Sequence, residues 1–191
     1  MKKKKNIIDT ATKLFSRQGF DGTTTLQIAR EAGVTEPLIY YHFEGKDDLF
    51  THIIENGFNT YFERLDSLPL DTATHFEKIE NLVALHFGFV RENPDEIYLA
   101  FSTCPAKLKD KSHVCSKKLE KQRKWLGVYL SNCLKKGIAD GEFHSIQVKE
   151  TVSLLYALIV GIVRQRGLQL NTYKGMAKTT IEFCRRSLVK K

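Results

Sequence analysis

The chain has 191 residues, of which 42% are hydrophobic and 27% charged, with 12 Gly and only 4 Pro. This balance excludes a disordered tail, a collagenous repeat and a disulfide-dense miniprotein, and it predicts one or two compact domains that fold without a staple. Thirty Lys plus Arg against 22 Asp plus Glu give a formal net charge of +8, which favours polyanionic partners, although solubility explains it almost as well.

The cysteines indicate the cellular compartment. All 4 are far apart in the sequence, without a C-x-x-C pair and without a secretory signal ahead of them. We therefore expect reduced thiols in a cytoplasmic protein. The most apolar run, residues 152–163, is shorter than the roughly 20 residues that cross a bilayer. It predicts a buried helix, and no membrane partner is expected.

Apolar residues recur at helical spacing along the whole chain, and no alternating run is long enough for a strand. We predict an all-α fold of about nine helices. The first helix carries an apolar stripe that ends at Gly19. Thr24 and Gln27 have the spacing of a capping box, which begins a second helix that stops at Gly33. Thr35 is a good N-cap for a short third helix.

The fourth helix is predicted from Lys46 onward, because apolar positions repeat there over about five turns. A second capping box at Thr74 and Glu77 begins a fifth helix, which runs to about Glu92. Four further helices are expected: a short one at 95–102, one that ends at Gly137, and two at about 147–166 and 172–188.

The second and third helices, joined by a turn that contains Gly33, are the elements of a helix-turn-helix. The second helix of such a motif fits a major groove about 12 Å wide. Because Ile39 and Phe43 are needed for the core, the remaining bulky and polar-tipped residues of this helix are available to a partner: Glu36, Leu38, Tyr40, Tyr41 and His42. The motif therefore predicts a reader of double-stranded DNA.

The segment IAREAGVTEPLIYYHFEGKDDLF strongly resembles the amino-terminal domain of the TetR family of bacterial transcriptional regulators. The resemblance depends on the combined spacing of Ile28-Ala29, Gly33-Val34, Tyr40, His42-Phe43, Lys46 and Leu49. The preceding ATKLFSRQGFDGTTT is similar to the family's first helix and the turn after it. The similarity covers about residues 6–50, and the rest of the chain matches only in length and helical character.

This resemblance implies that the third helix reads bases while Thr25, Tyr41, His42 and Lys46 hold the phosphate backbone. A hydroxyl at the start of a helix and a lysine charge are both suited to phosphate oxygens. No arginine occurs in the third helix, so we expect apolar and water-mediated readout, with Pro37 and Leu38 against thymine methyl groups. The full predicted DNA-binding set is Thr25, Gln27, Glu36, Pro37, Leu38, Tyr40, Tyr41, His42 and Lys46.

Charge is unevenly distributed along the chain. Residues 1–50 hold eight basic and seven acidic residues, a net of +1, with the basic groups concentrated in an arm at 2–5 and at Lys46. Residues 107–124 hold eight basic and two acidic residues, a net of +6. That stretch is either a solvated face or an anion-attracting rim of a ligand pocket.

The resemblance also implies a helical domain that encloses a small-molecule effector. If the aromatic residues of this domain and the basic stretch at 107–124 serve one ligand, that ligand has an apolar body and an anionic head. No cofactor or metal is implied. Histidines 86 and 113 are further polar candidates by residue type and region only. The predicted ligand-binding set is Phe62, Phe87, Phe101, Cys104, Trp125 and Tyr129.

A homodimer is predicted because apolar residues nearly encircle the eighth helix, more than one face of a monomer buries. The resemblance implies a four-helix interface from the last two helices of both subunits. The predicted dimerisation residues are Leu154, Ala157, Leu158, Gly161, Ile162 and Ile181.

Together these observations predict a DNA-binding domain at 1–47 and an effector-binding and dimerisation domain at 48–191. The predicted function is a ligand-responsive regulator, a repressor released from a palindromic operator by a small molecule, and not an enzyme. Two other classes stay open. One is a basic lipid-binding or acyl-ligand carrier, and the other is a thiol or metal enzyme, for which the sequence has no recognised catalytic spacing.

Overall fold

The computed structural model describes residues 2–69, 71, 74–102, 114–164 and 175–190, with the backbone alone at 101–102 and 162–164. These residues confirm the all-α prediction, since an isolated bridge between Phe143 and Val189 is the one strand-like pairing among them. Their nine helices are α1 (Lys2–Gln18), α2 (Thr25–Ala32), α3 (Glu36–His42), α4 (Lys46–Asp66), α5 (His75–Glu92), α6 (Pro94–Ser102), α7 (Val114–Ala139), α8 (Val148–Arg164) and α9 (Met176–Leu188).

Two boundaries differ from the sequence prediction. Helix α1 begins at Lys2, so residues 2–5 form its first turn and not an extended arm. Helix α7 continues past Gly137, which does not end it. Gly137 is required for packing and not as a helix end, because a Cβ at this position would lie 2.3 Å from the Phe143 ring. That glycine allows the ring to approach the helix.

Both predicted capping boxes begin helices, and one forms both of its hydrogen bonds. The Glu77 N–H donates to Thr74 Oγ1 at 3.1 Å, and the Thr74 N–H donates to Glu77 Oε2 at 3.3 Å. At α2, the Gln27 N–H donates to Thr24 Oγ1 at 3.1 Å, while the Gln27 side chain bonds elsewhere. Thr35 is the N-cap of α3 but makes no side-chain capping bond.

The chain divides into two compact units, one of Met1–Thr60 with Asn93–Leu119 and one of Tyr61–Glu92 with Glu120–Lys191. Helices α4 and α7 each contribute residues to both units. The predicted functional division at residue 47 is not tested by these units and stays a prediction.

The first unit has an aromatic centre. The rings of Phe15, Phe20 and Phe50 lie 5.2 to 5.6 Å apart, and each is almost fully buried. Burial of three phenylalanines removes several hundred Å² of apolar surface from water, at about 25 cal/mol per Å². This centre fixes α1 against the start of α4 and thereby supports the helix-turn-helix.

In the second unit, α5 packs against α8 and α9. The start of α5 is held by Glu142, whose carboxylate accepts from the His75 N–H at 2.7 Å and the Phe76 N–H at 2.9 Å. Arg185 of α9 bonds Glu80 at 2.9 Å and covers the Phe76 ring. Among the helices described, none combines the length and apolar character that a membrane crossing requires.

Candidate functional site

The turn between α2 and α3 has the geometry of a helix-turn-helix. Gly33 ends α2 with φ 64° and ψ 39°, the left-handed region that favours glycine. Its N–H donates to Arg30 O at 3.2 Å, and the Val34 N–H donates to Ala29 O at 3.0 Å. These bonds close α2, so only Gly33, Val34 and Thr35 separate the two helices.

Helix α3 has one buried face and one exposed face. Ile39 is fully buried and Phe43 is 4% exposed, as predicted for core residues. By contrast, Tyr40 is 54% exposed and Tyr41 is 80% exposed. The Tyr41 ring meets the His42 ring edge-on at 5.0 Å. This face therefore presents aromatic and hydrogen-bonding groups to a partner.

Three of the predicted DNA-binding side chains form one hydrogen-bonded group. Thr25 Oγ1 donates to Glu36 Oε1 at 2.6 Å and lies 3.3 Å from the Tyr40 hydroxyl. Thr25 and Glu36 are half-buried. The single Thr25 hydroxyl proton is thus used within the protein, and its oxygen lone pairs alone face other donors.

Gln27 connects the end of α1 to α2. Gln18 Nε2 donates to Gln27 Oε1 at 2.7 Å, and Gln27 Nε2 donates to Glu31 Oε1 at 3.2 Å. Gln18 also donates to the Gly22 carbonyl at 2.8 Å. The Gln27 amide therefore holds the start of α2 in place.

Lys46 has contacts that the sequence did not predict. Its ammonium donates to the carbonyl oxygens of Phe20 and Thr23, both at 2.8 Å, and lies 4.4 Å from the centre of the Phe20 ring. A lysine ammonium has three N–H donors, so one of them remains for a phosphate. The structure thus gives Lys46 a role in fixing the turn before α2.

Most of the remaining basic groups of this region lie on α1, and the exposed Arg30 lies on α2. Lys2, Lys3 and Lys5 are exposed in its first turn, whereas Lys4 is half-buried with its ammonium 5.1 Å from the centre of the Phe43 ring. Pro37 is exposed and Leu38 is half-buried on α3. The first unit therefore carries exposed cations as well as an exposed aromatic face.

Four of the predicted effector residues belong to the second unit, where their environments differ. Phe62 is 8% exposed and lies under the Lys121 ammonium at 4.5 Å, while Phe87 is half-buried. Trp125 and Tyr129 stack with their ring centres 4.9 Å apart. The Phe101 side chain and Cys104 lie outside the described residues, as do residues 107–113 of the predicted basic stretch at 107–124.

A buried polar group joins three helices of the same unit. The Tyr61 hydroxyl lies 3.3 Å from His86 Nδ1, and Gln122 Nε2 donates to it at 3.5 Å. Burial lowers the pKa of His86 to about 4 and raises that of Tyr61 to about 12. Of these three, the sequence indicates His86 as a candidate polar contact. Gln122 has a recognisable signal, because it occupies an apolar position of α7 four residues before Leu126.

Tyr129 also lines an open recess of about 180 Å³. Burial raises the pKa of the Cys133 thiol to about 11, against the opposing effect of the neighbouring ammonium groups of Lys78 and Lys136. The thiol is therefore protonated at neutral pH. The lining residues are His75, Lys78, Tyr129, Asn132, Cys133 and Lys136.

The predicted dimerisation residues are distributed over buried and exposed faces. Leu154 is 71% exposed and Ala157 is exposed, while Leu158, Gly161 and Ile181 are half-buried. Phe183 of α9 is 62% exposed, and the side chain of Ile162 is outside the described residues. Among the described side chains of α8 and α9, two large apolar ones are thus left in water by a single chain.

Comparison with known proteins agrees with this geometry. The family model for bacterial regulatory proteins of the tetR family matches residues 7–53. The HTH-type transcriptional regulator HbdR of Aromatoleum sp. (strain CIB) is 40% identical over 96 residues, which are 50% of this chain and 42% of that protein. The biofilm operon icaADBC negative transcriptional regulator IcaR of Staphylococcus epidermidis is 33% identical over 108 residues, 55% of this chain and 56% of that protein.

The matches span about half the length of these relatives. Across the whole chain the likeness is one of fold. The ketosteroid transcriptional regulator KstR2 of Mycobacterium tuberculosis superimposes with a TM-score of 0.84 at 18% identity, covering 100% of this chain and 96% of that one. With the helix-turn-helix on α2 and α3, these findings show that residues 7–53 carry the amino-terminal domain of the tetR family of bacterial regulatory proteins.

Proposed function

We propose that this protein is a dimeric transcriptional repressor that binds a palindromic DNA operator and is released from it by a small molecule. The observation that carries the proposal is the exposed face of α3 after the Gly33 turn, where Tyr41 is 80% exposed while Ile39 beneath it is fully buried. A short helix held by its apolar side, with aromatic and polar groups outward, is what a major groove accepts. The relative IcaR is itself named a negative regulator.

Phosphate contacts in this proposal come from α1 and α2. The exposed Lys2, Lys3 and Lys5 supply charge, and the N–H groups at the start of α2 supply oriented donors beside Thr25. Base readout comes from Pro37 and Leu38 against thymine methyl groups, with Tyr40 and Tyr41 at the groove edges. Affinity then falls with salt, because each neutralised phosphate releases counterions.

The proposed dimer uses the exposed apolar side chains of α8 and α9. Leu154 and Phe183 gain burial when a second copy covers them, and Ala157 and Gly161 allow close approach. A two-fold dimer presents two α3 helices to half-sites about 34 Å apart. The operator is accordingly palindromic.

Helix α4 is the proposed connection between DNA and effector. It is continuous from Lys46, which holds the turn before α2, to Tyr61 and beyond. These two residues are 15 positions apart, or about 22 Å along a helix. An effector that prefers the α4 position incompatible with DNA shifts the population, and a nearly complete switch takes roughly 5 kcal/mol of preference.

The test is selection of bound sequences from a random DNA pool, followed by titration of the selected site. We expect a palindrome, and we expect Tyr41→Ala to weaken binding roughly 10- to 100-fold, in line with about 1–3 kcal/mol per contact residue. Val128→Ala is the matched control, since Val128 is 62% exposed on α7. Failure to enrich any sequence, or equal binding by the Tyr41 variant, would contradict the proposal.

A further inference from the structure

Tyr61, His86 and Gln122 form a hydrogen-bonded group that we call the buried triad. Its members are 2%, 2% and 0% exposed and come from α4, α5 and α7 of the second unit. The Tyr61 hydroxyl connects the other two side chains. Among the residues described by the structure, His86 Nε2 and Gln122 Oε1 have no hydrogen-bond partner.

The surroundings of the buried triad are aromatic. The Tyr61 ring centre lies 5.3 Å from that of Phe89 and 5.9 Å from that of Phe62, and both neighbours are buried. Two polar atoms left unpaired there cost about 1–3 kcal/mol each. An ionic ligand group would be stripped of water beside neutral partners, which is far more costly. The site therefore favours a polar but uncharged partner.

Counting protons defines that partner further. If the Tyr61 hydroxyl donates to His86 Nδ1, His86 carries its proton on Nε2 and offers a donor, while Gln122 Oε1 offers an acceptor. If the hydroxyl instead donates to a rotated Gln122 amide, His86 Nδ1 donates to the hydroxyl and Nε2 becomes the acceptor. The Gln122 amide then offers the donor. Both arrangements leave at least one donor and one acceptor open.

We propose that the buried triad binds the neutral polar end of the effector, a hydroxyl or carboxamide group on an apolar body. Such a group supplies both an acceptor and a donor, whereas a carboxylate supplies acceptors alone and an ammonium donors alone. This inference rests on the proposed function for the existence of an effector. It differs from the anionic head that the sequence analysis expected.

The experiment compares ligands that share a body and differ in the head group. The probes are 1-octanol, octanamide, octanoate and octylamine, with benzyl alcohol, benzamide, benzoate and benzylamine as a second series, measured by calorimetry and thermal shift. In at least one series we expect the alcohol or the amide to bind at least tenfold more tightly than both ions. His86→Phe and Gln122→Met are each expected to weaken that binding about tenfold, the value of one hydrogen bond.

The control variants are His144→Phe and Gln147→Leu, which replace an exposed histidine and an exposed glutamine of the same unit. Circular dichroism checks that every variant is folded, and two separate triad variants keep the test valid if one of them is not. Tighter binding of an ion, no binding of any alcohol or amide, or alcohol binding that both triad variants retain would overturn the inference. The last result would assign the open atoms to a structural water.

A parallel assay of DNA release separates this inference from the proposed function. If a compound dissociates the selected operator but binds independently of His86 and Gln122, the buried triad is not its site and the repressor proposal stands. If no DNA is bound at all while an alcohol binds through the triad, the repressor proposal fails and the ligand site stands.

Discussion

Two tyrosines of this protein show how the environment of one residue type decides what it can bind. Tyr41 on α3 is 80% exposed, while Tyr61 on α4 is 2% exposed with its pKa raised to about 12 by burial. The exposed hydroxyl of Tyr41 is open to hydration until a large partner displaces the water. Tyr61 has a hydroxyl already shared between His86 and Gln122. Exposed groups therefore suit a macromolecular surface, and enclosed ones suit a small ligand.

The largest expected effect tests how enclosed the second region is. Because burial holds the pKa of His86 near 4, below the ordinary 6.5, the unfolded chain binds a proton between these pH values that the folded chain does not. Stability is thus fully present above pH 6.5 and falls as the pH drops to 4. The free energy of unfolding of the wild type, relative to His86→Phe, should decrease by about 3 kcal/mol over this window.

Urea unfolding at half-unit steps from pH 7 to pH 4 measures this difference. His144→Phe is the control, because His144 is exposed. If the difference in free energy of unfolding between wild type and His86→Phe is constant across the window, water reaches His86. The buried triad would then be solvated, as the α3 surface is.

The second-largest expected effect concerns Lys46, a half-buried cation whose exposure is intermediate between those of Tyr41 and Tyr61. Lys46→Met removes two charged hydrogen bonds, to the carbonyls of Phe20 and Thr23, and is expected to lower the free energy of unfolding by about 2 kcal/mol. Lys13→Met, an exposed lysine of α1, is the control and should change stability little.

The alternative result for Lys46→Met is equally specific. If Lys46 contacts phosphate and contributes nothing to the turn, unfolding is unchanged and the slope of log affinity against log salt decreases by about one unit. Both measurements on the same variant decide between a lysine that fixes the turn and a lysine that only binds DNA.

The two regions also differ in how far the sequence predicts them. The capping boxes, the Gly33 turn and the burial of Ile39 and Phe43 follow from local spacing, and the structure confirms them. The Thr25–Glu36 bond was not predicted, because it joins side chains 11 positions apart across a turn whose exact angle sets the distance.

The buried triad is even harder to predict from the local sequence. Tyr61 is 25 positions from His86 and 61 from Gln122, so only the packing of three helices brings them together. The sequence nonetheless contains a partial signal, since a glutamine at an apolar position of a helix needs a buried hydrogen-bond partner. Which atoms stay open depends on the tertiary structure alone.

The smallest expected effect concerns the Thr25 hydroxyl, which is half-buried and already hydrogen-bonded to Glu36. Thr25→Val keeps the side-chain shape and removes the 2.6 Å bond to Glu36, so the carboxylate is free to turn toward DNA. We expect DNA affinity to fall by about 1 kcal/mol, and sequence preference at the bases beneath Glu36 to change toward cytosine, whose amino group a carboxylate accepts. Thr25→Ser retains the hydroxyl and should match the wild type in both respects. Repeating the selection with all three proteins measures the change, and an unaltered preference would leave Glu36 without a part in readout.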